Sequence, residues 1–240
     1  MNKNGYPAVL PEPDDARPFE SNLDLVDSAC AVWHTRFLAL SVRDAKRRDD
    51  LYDVIHNNAT RDNCTSDEVW TKHLATHQID VTDMDASTLS SHLYFGWRER
   101  HRDFWRRLEA RPPTRMRHGL EAIAAEFSLD RLECDVLLIL ASFFIWEIYD
   151  PKLLDAFSLT GRYSAVPTIA DLLRALDGLA VDVLGGGCFA PTRRLCSRRL
   201  IELGAPDHTT SMCAAITRTV RISSSALATI LGTPRDALEF

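Results

Sequence analysis

The pattern of apolar and polar residues predicts one very apolar helix near the middle of the chain. From Val136 to Trp146 every residue except Ser142 is apolar, and acidic residues stand on both sides of this run. A helix that is apolar all round is buried in a protein core or in a membrane. Because spanning a bilayer takes about 18 or more consecutive apolar residues, we predict a central core helix. Asp130 and Glu133, three residues apart, predict a capping box at its start.

Shorter helices are predicted on both sides of this core helix. The segment 120–127 has apolar residues at helical spacing, and a short turn follows it. Pro151 stands in a favourable first-turn position and predicts a helix over 151–157. Thr168 and Asp171 predict another capped helix, which ends before Gly178.

After Leu184 the sequence changes character. The segment 185–187 consists of three glycines, which predict a flexible connection, and no Gly-Lys-Ser/Thr follows to make a phosphate loop. Residues 215–222 alternate between apolar and polar and are rich in β-branched side chains, so we predict a strand. Residues 223–225 are serines that cap a last helix over 226–231, with Gly232 at its end. This order of elements predicts a winged-helix-like arrangement.

The N-terminal half is predicted to be helical. Residues 1–20 contain four prolines and predict an extended or disordered lead-in. Apolar periodicity predicts an amphipathic helix over 25–40, and further helix candidates are 51–55, 70–77 and 89–108. The predicted fold is mainly α with a small β element. Its predicted domains are the lead-in (1–20), a helical subdomain (21–112, joined near Arg111 to Pro113) and a winged-helix-like domain (113–240).

A series of short groups of residues carries a resemblance to a known family. The groups are Phe127-Ser128-Leu129; Glu133 with Leu137-Leu138; Tyr149 with Leu153 and Phe157; Pro167-Thr168 with Leu172 and Leu176; Phe189 with Pro191; Arg198-Arg199-Leu200 with Leu203; and Ile222 with Leu231-Gly232. In this order and spacing, residues 119–232 resemble the winged-helix domain that precedes the ATPase module in a group of bacterial AAA+ proteins.

The resemblance implies a role in recognition or docking rather than in chemistry. Two segments depart from the family pattern: Ser142-Phe143-Phe144 replaces a turn with a small residue, Pro and Glu, and residues 160–164 replace an acidic segment. The resemblance therefore does not extend to any contact made by those acidic groups. By the resemblance an ATPase module would begin near Phe240, and no Walker motif occurs in this sequence. We therefore predict that this chain alone neither binds nor hydrolyses ATP, and we expect no cofactor.

Charge and composition narrow the cellular context. The 240 residues carry a net charge of −6, and 45% of them are hydrophobic, as in ordinary soluble domains. The six cysteines include no CxxC pair, so neither a zinc site nor a disulfide framework is indicated. No apolar run is long enough to cross a membrane, and the start lacks the apolar core of a signal peptide. We expect a cytoplasmic location.

Arginines are concentrated in two places. Residues 97–118 contain eight arginines and three acidic residues, a charge of +5 that leaves −11 for the rest of the chain, and a second cluster lies at 193–199. The candidate contacts for nucleic acid or for a partner are Arg106, Arg107, Arg193, Arg194, Arg198 and Arg199. The alternative is a solvated helix face whose arginines pair with acidic residues at helical spacing. The acidic chain as a whole disfavours general binding to phosphate backbones.

Two further pairs of side chains have the spacing of a chemical site. His73 and His77 lie four apart, a spacing at which two imidazoles on one helix face can bind a metal, but no third ligand accompanies them. Cys30 and His34 could form a thiolate–imidazole pair, although on an amphipathic helix Cys30 is better interpreted as a small core residue.

Two tryptophans are candidates for stacking on nucleic-acid bases. Trp97 and Trp105 stand among arginines and could stack on bases. Packing in the core is the alternative that we favour, because tryptophans usually serve burial.

The sequence therefore predicts a protein that acts by binding. The first hypothesis is a recognition region of an AAA+ ATPase system, which docks a client, an assembly partner or the ATPase module. The second is a winged-helix regulator that binds nucleic acid through the arginines at 193–199 together with Arg218 and Arg221. An enzyme is the weakest hypothesis, because no catalytic constellation is found.

Overall fold

The computed structural model of the chain describes residues 18–44, 86–110, 118–149, 166–176, 187–205 and 216–233. The helices in these ranges are α1 (Asn22–Asp44), α2 (Ala86–Glu109), α3 (Gly119–Phe127), α4 (Arg131–Tyr149), α5 (Ile169–Ala175), α6 (Arg194–Ser197) and α7 (Ser224–Leu231), with a 3-10 turn at Gly187–Phe189. The strands are β1 (Ile201–Leu203) and β2 (Val220–Ile222). The predicted fold class, mainly helical with a small β element, is confirmed.

Helix α4 is the central core helix that its apolar sequence predicts. The side chains of residues 136–141 are almost completely buried. The predicted capping box is present, since the Glu133 N–H donates to Asp130 Oδ1 at 2.9 Å and the Asp130 N–H donates to Glu133 Oε2 at 3.0 Å. Inside the apolar run, the Ser142 hydroxyl donates to the Leu138 carbonyl at 2.8 Å, which satisfies this buried polar group within the helix.

Three of the other predicted helix ends lie within the described residues and are confirmed. Thr168 and Asp171 form a capping box before α5, and the Ser223 hydroxyl accepts from the Ala226 N–H at the start of α7. Gly232 ends α7 in the left-handed region, with φ at 69°. These local interactions satisfy backbone groups that have no partner inside the helix.

Strand β2 belongs to a two-stranded sheet and has a further backbone contact on its other edge. It pairs with β1 in antiparallel register, Ile201 opposite Ile222, and just before β2 Thr219 forms an antiparallel bridge with Thr168. The segment before α5 and strand β1 therefore flank β2 on either side. Helices followed by this antiparallel pair make the winged-helix arrangement.

The strand predicted over 215–222 is shorter in the structure. Ile216 is in a helical conformation and β2 begins at Val220. The partner strand β1 ends at Leu203, and at that end the guanidinium of Arg218 donates to the carbonyl groups of Leu203 and Gly204. Alternation indicates a tendency to form a strand, but the length of a strand depends on its partner.

Helices α1 and α2 share one hydrophobic core with the winged-helix elements. Helix α1 packs against α2, α4, α5 and α7. The ring centroid of Phe37 in α1 lies 5.1 Å from that of Phe143 and 6.1 Å from that of Trp146, and both of these residues belong to α4. Residues 111–117, where the boundary between two domains is predicted, lie outside the described residues, so this division stays a prediction.

The N-terminal predictions can be followed in part. The helices predicted over 25–40 and 89–108 are present as α1 and α2. Phe19, which falls in the predicted lead-in, is buried, and its carbonyl lies 3.1 Å from His118 Nε2. The helices predicted at 51–55, 70–77 and 151–157 lie outside the described residues, as do the glycines at 178, 185 and 186.

Candidate partner interface

Three of the six candidate arginines are exposed around the short helix α6. Arg193 precedes the helix, and Arg198 and Arg199 follow it directly. Within the described residues, none of these three side chains forms a hydrogen bond or an ion pair. We call Arg193, Arg198 and Arg199 the α6 basic surface. Its charge is available to a partner because the described part of the fold does not use it.

Arg199 has a backbone conformation that usually belongs to glycine. Its φ is 55°, in the left-handed region. Its N–H donates to the Cys196 carbonyl at 3.0 Å, and the Leu200 N–H donates to the Leu195 carbonyl at 2.9 Å, the hydrogen-bond pattern of a Schellman motif. Glycine occupies this position without strain, whereas a bulky side chain does so at some cost. The turn from α6 to β1 thus holds an arginine at a position where the backbone conformation by itself favours glycine.

Arg194 is engaged inside the fold. Its guanidinium lies 2.8 Å from Glu133 Oε2 and 3.1 Å from Asp130 Oδ2, and it also donates to the Ser128 carbonyl. The Glu133 side chain is only 3% exposed, so it depends on this cation for compensation. Arg194 therefore fixes α6 on the start of α4 and does not belong to the α6 basic surface.

The two candidates on α2 also have internal partners. Arg106 Nη2 lies 3.1 Å from Asp103 Oδ1, a pair at helical spacing. The Arg107 guanidinium lies 3.5 Å from Asp24 Oδ2 and covers the Phe19 ring, with 4.1 Å to the ring centroid. Arg107 thus ties α2 to α1, and Arg106 fits the interpretation of a solvated face with paired charges.

The two arginines near β2 differ from each other. Arg218 Nε donates to the Gly204 carbonyl at 2.8 Å, and its Nη2 donates to the Leu203 carbonyl at 3.5 Å. The guanidinium of Arg218 is therefore bound to the backbone at the end of β1. Arg221 is exposed and lies directly opposite Glu202 in the register. Of these two, Arg221 alone can add charge to the surface.

A buried arginine was missed by the sequence analysis. Arg36 is 2% exposed, and it donates from Nε to the Ala175 carbonyl at 2.8 Å and from Nη2 to the Arg174 carbonyl at 2.9 Å. Its guanidinium also lies 4.6 Å from the ring centroid of Trp97. These bonds satisfy the last carbonyl groups of α5 and join α1 to it. The available signal was an arginine on the apolar face of the helix, three residues after Trp33.

The tryptophans of α2 are packing residues, as favoured. Trp97 and Trp105 are both buried, and the Trp97 ring stacks on His101 with 5.6 Å between ring centroids. Trp105 Nε1 donates to Asp135 Oδ1 at 3.1 Å, and His101 Nε2 lies 3.0 Å from the same oxygen. This network satisfies a buried carboxylate of α4 and attaches α2 to the core helix. Neither ring is available to stack on a base.

Cys30 and His34 do not form a reactive pair. Burial raises the pKa of Cys30 to about 12. Burial, with a smaller contribution from the positive charge of Arg100, lowers the pKa of His34 to about 3. Both shifts oppose a thiolate–imidazole pair, which needs an acidic thiol and a basic imidazole. The described residues contain no cluster of histidine, cysteine and acidic side chains that could hold a metal ion. His73 and His77 lie outside those residues.

The helices and the antiparallel β1–β2 pair define a winged-helix protein, and exposed arginines surround its short helix α6. The family model described as the winged helix domain, variant, matches residues 11–238, and the chain belongs to this family. The match is wider than the resemblance over 119–232 and includes α1 and α2. Winged helix domains are generally non-catalytic.

Neither a curated protein nor a solved structure matches this chain. Among the helices that the structure describes, none combines the length and the apolar character needed to cross a bilayer.

Proposed function

We propose that this chain is a recognition region of an AAA+ ATPase system, which docks a protein client, an assembly partner or the ATPase module and catalyses no reaction itself. Membership of the winged-helix family and the resemblance of residues 119–232 to the domain before such ATPase modules support this proposal. The observation that carries it is the α6 basic surface, whose guanidinium groups have no partner within the described residues. Guanidinium groups form paired hydrogen bonds with carboxylates, so this surface fits an acidic patch on a protein.

Charge argues for a protein partner over DNA. The α6 basic surface and Arg221 supply four exposed arginines, while the connecting residues 206–215 contain one aspartate and neither lysine nor arginine. If all four arginines contacted phosphates, the logarithm of the affinity would fall with the logarithm of the salt concentration with a slope of about −3.6. Complexes whose affinity depends strongly on salt make about 6–10 such contacts. The net charge of −6 adds a general repulsion.

A DNA-binding regulator is the second candidate. It is favoured by the position of α6, a short helix after a turn and just before the sheet, since helix-turn-helix proteins place their second helix in the major groove. Helix α6 has only four residues. Its length is therefore about 6 Å, which leaves a single turn for reading bases.

Paired charge variants test the proposal. The triple variant Arg193→Gln, Arg198→Gln, Arg199→Gln removes the α6 basic surface, and Arg98→Gln, Arg102→Gln, Arg106→Gln removes the same charge from the exposed side of α2. Calorimetric titration with the purified AAA+ module of the same gene or of its neighbour should show binding that the first variant weakens about tenfold or more. The α2 variant should change it by less than about twofold.

DNA provides the opposing outcome. Fluorescence anisotropy with a labelled duplex should give a wild-type Kd weaker than about 10 µM at physiological salt, in the non-specific range. Sub-micromolar, salt-sensitive binding that the triple variant abolishes would contradict docking to a protein and establish the regulator instead.

Arg199→Gly separates a role in binding from one in folding. Because glycine relieves the left-handed backbone, the variant should be at least as stable as the wild type. Its affinity for the ATPase module should nevertheless fall, and an unchanged affinity would exclude Arg199 from the interface.

A further inference from the structure

A cleft separate from the α6 basic surface lies between the second half of α4, the sheet and the start of α7. Its volume is about 190 Å³. Phe143, Val220 and Leu227 contribute to an apolar floor, and each of these side chains is buried. Glu147, Glu202 and Arg221 stand at its edge and are exposed. We call this feature the α4–α7 cleft.

The edge of the cleft carries unmatched negative charge. Neither Glu147 nor Glu202 forms an ion pair or a hydrogen bond through its side chain within the described residues. Arg221 lies opposite Glu202 in the register and offsets one of the two carboxylates. The net charge of −1 stands beside an apolar floor, where a cation is attracted more strongly than in open water.

The apolar surface continues along α4 beyond the cleft. Phe144 lines the cleft and is half-buried, and Ile148, one turn later on the same side of the helix, is 46% exposed. Phe143 and Glu147 are one turn apart in the same way. The end of the core helix therefore presents apolar side chains next to a carboxylate, which is the composition of a docking surface with a polar rim.

We infer that the α4–α7 cleft is a second docking site, which binds a protein segment that combines one large apolar side chain with a neighbouring lysine or arginine. The volume is below the range of about 300–1,000 Å³ that small-molecule sites occupy, and it suits a single anchoring side chain. The floor receives this anchor, as in interfaces where one buried apolar residue dominates the affinity. The cation of the partner meets Glu147 and Glu202. This inference does not depend on the α6 basic surface.

Selection of peptides against the full chain tests the inference. A random heptapeptide phage library on the immobilised protein should yield sequences with a large apolar residue beside lysine or arginine. The variant Glu147→Gln, Glu202→Gln should bind the selected synthetic peptides about tenfold more weakly. Its matched control Glu109→Gln, Glu126→Gln, which changes two exposed carboxylates of α2 and α3, should leave the affinity unchanged.

A steric variant provides an independent measurement. Ser224→Trp fills the edge of the cleft from an exposed position and leaves the capping residue Ser223 in place. It should abolish peptide binding while the circular dichroism spectrum stays that of the wild type. The inference is overturned if no sequences are enriched, if the selected peptides lack a cation, or if either variant binds them as the wild type does. It is also overturned if sedimentation velocity shows a wild-type dimer that Ser224→Trp dissociates, because the occupant is then a second copy.

Discussion

Two glycine-to-alanine substitutions, both within helices, are expected to change stability in opposite directions. Gly119 is the first residue of α3, and Gly96 lies in the middle of α2. Helix propensity favours alanine over glycine by up to about 1 kcal/mol, so local reasoning predicts that both substitutions stabilise the protein. The tertiary structure separates the two positions.

The difference comes from what an added methyl group meets. An ideal Cβ on Gly119 would overlap the carbonyl oxygen of Thr229 and would stand 2.5 Å from its carbonyl carbon and 2.9 Å from the Cα of Ile230. Carbon atoms in contact prefer about 3.5–4.0 Å. Because the obstacle is the backbone of α7, α3 must move away from it. A Cβ on Gly96 would meet nothing within 4 Å.

These contacts set the expected magnitudes. Overpacking costs about 1–3 kcal/mol and sometimes more, and a clash with helix backbone belongs at the upper end. Gly119→Ala should therefore destabilise the protein by about 2–4 kcal/mol, even after any gain in propensity. Gly96→Ala should stabilise it by about 0.5–1 kcal/mol.

Urea unfolding at neutral pH, followed by far-ultraviolet circular dichroism and by tryptophan fluorescence, measures both effects. The Gly96→Ala variant is the control for helix propensity, so the difference between the two variants isolates the contact of α3 with α7. If Gly119→Ala lost less than about 0.5 kcal/mol, the close approach of these two helices would be refuted. The same result would refute the core arrangement that places α7 against α3.

Three further substitutions test the core and its charges. Leu137→Ala, at a fully buried site in α4, should cost about 2–5 kcal/mol in a denaturant titration, and a loss under about 1 kcal/mol would contradict the core assignment. Arg194→Met leaves the buried Glu133 carboxylate without its cation and should cost about 1–3 kcal/mol, whereas a wild-type midpoint would show that this contact does not hold α6. Because the pKa of His34 is lowered to about 3 in the folded protein, His34 binds a proton below about pH 6.5 in the unfolded chain but stays neutral in the folded chain. Stability should therefore fall from about pH 6.5 towards pH 3 by up to about 1.4 kcal/mol per pH unit. His34→Gln should flatten this dependence, and an unchanged slope in urea titrations at pH 7, 6 and 5 would show that His34 is not its source.

The sequence by itself determined the features that depend on residues close to one another along the chain. The capping box of Asp130 and Glu133 and that of Thr168 and Asp171 both form as predicted. Gly232 ends α7 for an equally local reason, because the left-handed conformation suits glycine. The burial of the middle of α4 followed from composition, since its apolar run of residues 136–146 is too short to cross a membrane and must be covered by protein.

Only the tertiary structure decided which charged residues are free. Among the candidate arginines, Arg194 and Arg107 are bound to distant acidic residues, while the α6 basic surface has no partner within the described part of the chain. Strand β2 begins only at Val220, opposite the end of the short strand β1, and the α4–α7 cleft arises where four separate parts of the chain meet. Spacing along a helix shows which side chains share a face, but exposure and pairing depend on what packs against that face. Those partners come from residues far away in the sequence, which no local pattern specifies.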